Sequence, residues 1–286
     1  MASIMLEVDA LTSDGRTLHG YDLGPTGGSE ELVLMWHGGT PNTGAPPEPL
    51  FEVANSLHIR WIGYDRPSYG GSSPHRGATV ASAAADAACV ADHLGIGRFA
   101  VLGSSGGGPR ALACAALLSE RVLAAITVSS PAPWNAAGLD FFAGMSDGST
   151  RELRAAASGR AELEEVLAAN EFDPESFIAA DYAALDGSWS WFNRIVPAAT
   201  ANGPDGMIED DLGTMAPWGF DPAQVTVPTL IMHGTADRMV PSSHAEWLAA
   251  RCPNAELRLV PGEGHVSVLN SAPEALAWLR DRLSPD

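Results

Sequence analysis

The chain has 286 residues, 45% of them hydrophobic and 18% charged, a globular composition that can bury a large core and argues against disorder. Its formal net charge of −19 speaks against nucleic acid and anionic membrane surfaces as partners. All 16 basic residues are arginine, which excludes a Schiff-base lysine and a phosphate-loop lysine.

Residues 1–14 carry acid early and lack a basic region followed by a long apolar stretch, so no signal peptide is expected. No apolar run reaches the ~18 residues of a membrane span. Ile4–Val8 and Thr17–Tyr21, joined through Asp14-Gly15, predict a hairpin. Apolar runs then alternate with helical patterns. Leu32–Trp36, Ile59–Tyr64, Phe99–Leu102, Leu123–Val128, Thr229–Met232 and Leu257–Val260 read as strands. Most lack polar alternation, as strands buried on both faces of a parallel sheet do. Pro49–Leu57, Thr79–Leu94, Gly106–Leu118, Ser242–Ala250 and Pro273–Leu283 read as helices, with Thr79 and Ser242 suited to N-caps. This alternation predicts a mostly parallel, doubly wound α/β sheet.

The alternation stops between about Trp134 and Pro222. Helices are expected there over Thr150–Ala157, Arg160–Asn170 and Glu175–Leu185. Phe141, Phe142, Trp189, Trp191, Phe192 and Trp218 also fall in it, an aromatic set suited to packing or to an apolar substrate group. The stretch reads as an insertion over the sheet edge. Cys89, Cys114 and Cys252 are odd in number and far apart, with neither a disulfide framework nor zinc spacing. Cys89 and Cys114 lie in Ala-rich helical patterns as small core residues, and a reducing cytoplasm is the expected location.

The sharpest motif is Gly103-Ser104-Ser105-Gly106-Gly107-Gly108-Pro109, after an apolar strand and at the start of a helix. The frame Gly-x-Ser-x-Gly fits Gly103, Ser105 and Gly107. Centring it on Ser104 would require glycine at Leu102, so Ser105 is the candidate nucleophile. A sharp strand-to-helix turn brings its flanks together and needs small neighbours. Free amides and the positive helix end then face a developing oxyanion. Upstream, Trp36-His37-Gly38-Gly39-Thr40-Pro41 follows a strand. The amide of Gly39, with Thr40 the near alternative, would pair with that of Gly106 as an oxyanion hole. His37 fits a loop-fixing histidine better than a catalytic one.

Two later strands end in Asp237 and in Gly264-His265. Either alone would read as ordinary loop chemistry. Together with Ser105, each after its own strand and in the order Ser, Asp, His, they form a candidate triad. On these residues the chain resembles the α/β-hydrolase family from Trp36 to His265. Gly63-Tyr64-Asp65-Arg66-Pro67-Ser68-Tyr69-Gly70-Gly71-Ser72 resembles its loop after the fourth strand, with Ser68 where glycine is more usual. His233-Gly234-x-x-Asp237-x-x-Val240-Pro241 also matches. Ser104 departs from the His, Trp or Glu often seen before the nucleophile.

The resemblance implies an α/β-hydrolase core over 1–134 and 226–286, a helical cap over 135–225, and no metal or organic cofactor. The expected function is a serine hydrolase with a small-molecule ester-like substrate. Ser105 would attack, His265 would act as general base, Asp237 would orient it, and Gly39 and Gly106 would hold the oxyanion. A carboxylic ester is the default, with lactone, thioester and amide open. The alternatives are an amide hydrolase like proline iminopeptidases, which the His-Gly-Gly start suggests, and a receptor-like binding protein on a hydrolase fold. Oligomeric state is left open.

Overall fold

The structure, a computed structural model, describes residues 5–27, 31–169 and 173–284. Eight strands form one sheet: β1 (Leu6–Leu11), β2 (Thr17–Asp22), β3 (Leu32–His37), β4 (Ile59–Tyr64), β5 (Phe99–Ser104), β6 (Val122–Val128), β7 (Thr229–Gly234) and β8 (Ala255–Val260). Their order is β1-β2-β4-β3-β5-β6-β7-β8. The β1–β2 and β2–β4 pairs are antiparallel, and all other neighbours are parallel. Strands β5 and β7 are buried at every position, which explains their apolar runs Phe99–Leu102 and Leu230–Met232. The hairpin forms, but β1 runs to Leu11, because Thr12 and Arg16 close the turn through mutual backbone and hydroxyl hydrogen bonds. The expected first residue of that strand, Ile4, lies outside the described residues.

The sheet is covered on both faces by α1 (Phe51–Ser56), α2 (Ser82–His93), α3 (Gly107–Leu117), α9 (Ser243–Arg251) and α10 (Ala272–Leu283). Leu34 and Trp36 join one core with Leu102, Leu230 and Leu276. Met35, between them, joins the opposite core with Ile62, Val101 and Ile231. Cys114 is buried in the second core and Cys89 only packs against it.

Of the two expected N-cap positions, Thr79 is corrected and Ser242 is found in place. The N-cap of α2 is Ala81, and Thr79 instead bonds Ser82 in the turn before the helix. Ser242 does occupy the N-cap position of α9, but its hydroxyl caps nothing.

Between β6 and β7 the chain forms α4 (Asp147–Ser158), α5 (Arg160–Ala169), α6 (Ala179–Asp186), α7 (Phe192–Ala199) and α8 (Asp205–Thr214). The expected end of the second of these, Asn170, lies outside the described residues. The third starts later than its pattern suggests, because Pro174–Ser176 makes a separate tight turn. The aromatics of this region do not form one cluster. Trp189 and Trp191 enter one sheet-face core and Trp218 the other, while Phe141 centres a third with Leu163 and Ile208. They are packing residues.

Candidate active site

Ser105 stands between the end of β5 and the start of α3 with φ of +50°, a left-handed backbone rare for a residue with a side chain. Its N–H donates to Val128 O at 2.8 Å. The glycines around it are required by contact. A Cβ on Gly103 would lie 2.4 Å from Gly107 O, and one on Gly107 would lie 1.9 Å from His37 O. Ser104 remains a strand residue, in register with Val128 and buried.

The three distant candidates meet here. His265 Nε2 lies 2.9 Å from Ser105 Oγ, and His265 Nδ1 lies 2.8 Å from Asp237 Oδ2. An ionised carboxylate only accepts, so Nδ1 carries the hydrogen and Nε2 presents its lone pair to the serine hydroxyl. Asp237 is itself fixed, since its Oδ1 accepts the N–H groups of Met239 and Val240, both at 2.9 Å. His233 Nε2 sits 3.3 Å from the other oxygen and 2.7 Å from Val240 O. Burial works against the Asp237 charge, yet His265 and His233 beside it hold the carboxyl below the usual range. For His265 burial favours the neutral ring, but the Asp237 charge outweighs it and raises the pKa.

Gly39 faces the nucleophile: a Cβ there would be 3.2 Å from Ser105 Cβ and 3.8 Å from its Oγ. Neither the Gly39 nor the Gly106 amide finds an acceptor among the described residues. The Thr40 hydroxyl is committed elsewhere, donating to Asp210 Oδ2 at 2.8 Å. His37 does not fix this loop by strong hydrogen bonds. It packs edge-on against Tyr64, touches Cys114 Sγ at 3.7 Å through Nε2, and leaves Nδ1 unpartnered. Burial pushes its pKa down to about 3, so it is a neutral core histidine.

The loop is instead gripped by Arg66, which donates to Gly38 O at 2.6 Å and Gly39 O at 2.7 Å. Asp210 of α8 pairs with Arg66 at 2.5 Å, approaches Arg110 at 3.3 Å and accepts from Tyr69 at 3.0 Å. Asp181 of α6, wholly buried, accepts the N–H groups of Val266 and Ser267 next to His265. Sequence reasoning singled out neither acid. Each left a faint signal, Asp181 as an acid among alanines in a short helix and Asp210 within the run of three acids Glu209-Asp210-Asp211 between Ile208 and Leu212.

A cavity of about 460 Å³ opens onto Ser105 and Gly106. Its apolar wall is Leu153, Val166, Leu167, Val196, Met207 and Met239. Glu152 and Asp211 also line it, their carboxyls adjacent. Burial and the neighbouring Glu152 push the Asp211 carboxyl well above the usual range. A more open groove of about 760 Å³ around Asp147, Glu175 and Arg238 includes none of the three triad candidates, so the smaller cavity is the one placed for chemistry. Among the described residues no group of three or more His, Cys, Asp or Glu could hold a metal ion, and no helix is long and apolar enough to cross a membrane.

A serine on a strand-to-helix elbow of a mostly parallel sheet, with an acid and a histidine after later strands, defines the α/β-hydrolase class. The family model described as alpha/beta hydrolase fold matches residues 31–272, and the chain belongs to that family. It is 29% identical over 248 residues to a non-heme haloperoxidase of Rhodococcus erythropolis, spanning 81% of this chain and 85% of the relative. In fold it is similar to a thermophilic esterase from Thermogutta terrifontis, with a TM-score of 0.72 at 23% identity over 98% of this chain and all of the other. A bromoperoxidase from Bacillus anthracis matches with the same TM-score at 21% identity, over 97% and 99% of the two chains.

Proposed function

We propose that the protein is a serine hydrolase that cleaves a carboxylic ester through an acyl-enzyme on Ser105. The observation that carries this reading is the continuous hydrogen-bonded line from Ser105 Oγ through His265 to Asp237, at 2.9 and 2.8 Å. His265 Nε2 takes the hydroxyl proton as Ser105 attacks the carbonyl carbon. The amides of Gly39 and Gly106 receive the oxyanion. Collapse of the tetrahedral intermediate expels the alcohol, which takes the proton from the imidazolium, and water then releases the acid by the same steps in reverse. Asp237 keeps the required tautomer and stabilises the imidazolium. The segment 135–225 acts as a cap, and its Leu, Val and Met wall suits a medium-sized apolar acyl or alcohol group. The test is a fluorophosphonate probe with peptide mapping, followed by turnover on a panel of esters, lactones and thioesters. An adduct on Ser105 and ester turnover are expected. A folded protein with no adduct favours the receptor-like alternative.

One observation favours a second reading, an amide hydrolase taking a substrate amine. Asp211 and Glu152 line the same cavity as Ser105, and such a pair of adjacent carboxyls suits a substrate amine. Turnover of aminoacyl arylamides above that of matched esters would select it.

A further inference from the structure

His265 is held through its backbone as firmly as through its ring. Asp181 Oδ1 accepts the N–H groups of both Val266 and Ser267 at 2.8 Å, and its Oδ2 accepts that of Ile178 at 3.1 Å. On the other side of the histidine, the Gly264 N–H donates to Ser267 Oγ at 2.8 Å. The Val266 N–H belongs to the peptide plane that begins with the His265 carbonyl. Fixing that plane fixes ψ of His265, and with it the direction in which its side chain leaves the backbone. The contact is so close that a Cβ on Gly264 would lie 2.1 Å from Asp181 Oδ2. Asp181 does not touch the reacting atoms. It belongs to α6, in the segment between β6 and β7, and is wholly buried against the loop that carries the base.

We propose that Asp181 is a positioning residue for His265: the inserted segment lends a carboxylate that aims the imidazole at Ser105, so the base is in place only when α6 is docked. The proposal rests on His265 being the general base. Asp181 also acts by charge. The groups around His265 are Asp237 from the loop after β7, itself contacted by His233 of β7, the Ser105 hydroxyl from the elbow, and Asp181 from α6, while Glu263 precedes it by two residues on the same loop. Asp181 and Asp237 both favour the imidazolium, and Asp181 is the only one of the two without a direct bond to the ring.

Two substitutions separate aim from charge. Asp181→Asn keeps an oxygen for the Val266 and Ser267 amides and removes the charge, whereas Asp181→Ala removes both. The readouts are the His265 ring titration followed by NMR, the rate of fluorophosphonate labelling, and kcat and KM on an ester, with circular dichroism to establish folding. For Asp181→Asn the His265 midpoint should fall below that of the wild type, and labelling at alkaline pH should stay within several-fold. For folded Asp181→Ala, labelling and kcat should drop by about 10²-fold even at alkaline pH, the scale of loss when a reacting group is misplaced by ~1 Å, with KM little changed. A folded Asp181→Ala protein with wild-type labelling and kcat overturns the proposal. If Asp181→Ala does not fold, the Asn variant decides, and an unmoved His265 midpoint overturns it. The titration needs no turnover, so it still reports on Asp181 if wild-type Ser105 fails to label, an outcome that would refute the hydrolase reading instead.

Discussion

At the scale of single residues, His265 stands between partners with opposite demands. The proposed attack by Ser105 needs a neutral imidazole, whereas Asp237 favours a charged one. The ring's pKa is raised above the ordinary ~6.5 of histidine. The protonated ring cannot accept the serine proton, so kcat/KM on a neutral ester should rise with pH through a midpoint above that value. A stopped-assay profile from pH 5 to 9 checks this, and a midpoint below 6 would contradict the influence of the two carboxylates. Asp237 should matter through tautomer rather than stability. Asp237→Asn offers an amide N–H toward Nδ1, turning the ring's hydrogen to Nε2, where it faces Ser105. Turnover should fall by roughly 10⁴, as in the well-studied triad of that type, while the thermal midpoint changes little. Turnover near the wild-type level would remove Asp237 from the mechanism.

At the scale of elements, the turn between β5 and α3 carries a conflict that magnitudes resolve. Gly107→Ala would favour the helix by about 1 kcal/mol on propensity alone. Its methyl, however, would fall 1.9 Å from His37 O and 2.4 Å from Gly38 O, and overpacking costs about 1–3 kcal/mol or more. The clash wins, so the variant should melt lower than the wild type and label more slowly, because relief pushes back the loop bearing Gly39. Melting and labelling rates measured together would check this, and a raised melting temperature would refute the packing argument. This turn was readable beforehand because its demands are local: Gly103, Ser105 and Gly107 lie within five positions. The strands were readable for a similar reason, since burial on both faces writes a continuous apolar run such as Phe99–Leu102. Helix α7 was hidden by Pro197 in its interior, and α8 by consecutive buried acids, which an isolated helix would expose. Asp181 and Asp210 left only a faint sequence signal because their partners lie 85 and 144 positions away, a separation only the folded chain closes. Ser68 shows the reverse. Glycine is more usual at this place in the family, and the backbone does take φ of +71°, so serine bears the strain glycine would avoid.

At the scale of the whole molecule, a chain of charge −19 buries several carboxyls that behave in opposite ways. Burial raises the Asp210 pKa but Arg66 and Arg110 more than reverse this, so its share of stability is lost as pH falls through the acid range. Asp211 is displaced upward and keeps its proton where the unfolded chain, with an ordinary pKa near ~3.9, has given it up. Unfolding then releases a proton, and stability falls as pH rises from about 4 toward neutrality. Asp211→Asn removes this liability. It should raise the melting temperature at pH 8 and make almost no difference at pH 4; equal shifts at both values would show that titration is not the cause. The paired arginines have one further consequence. Asp210 holds Arg66, which holds the carbonyls of Gly38 and Gly39, while Asp181 holds the amides beside His265. The helical segment is therefore not an interchangeable insertion. A chimera grafting a foreign segment between β6 and β7 would have to import two acids at matching positions, or it would leave Arg66 and Arg110 without their buried acid and the backbone beside His265 unanchored. Diversification of this scaffold is thus freer along the Leu, Val and Met wall of the cavity than by exchange of the segment as a block.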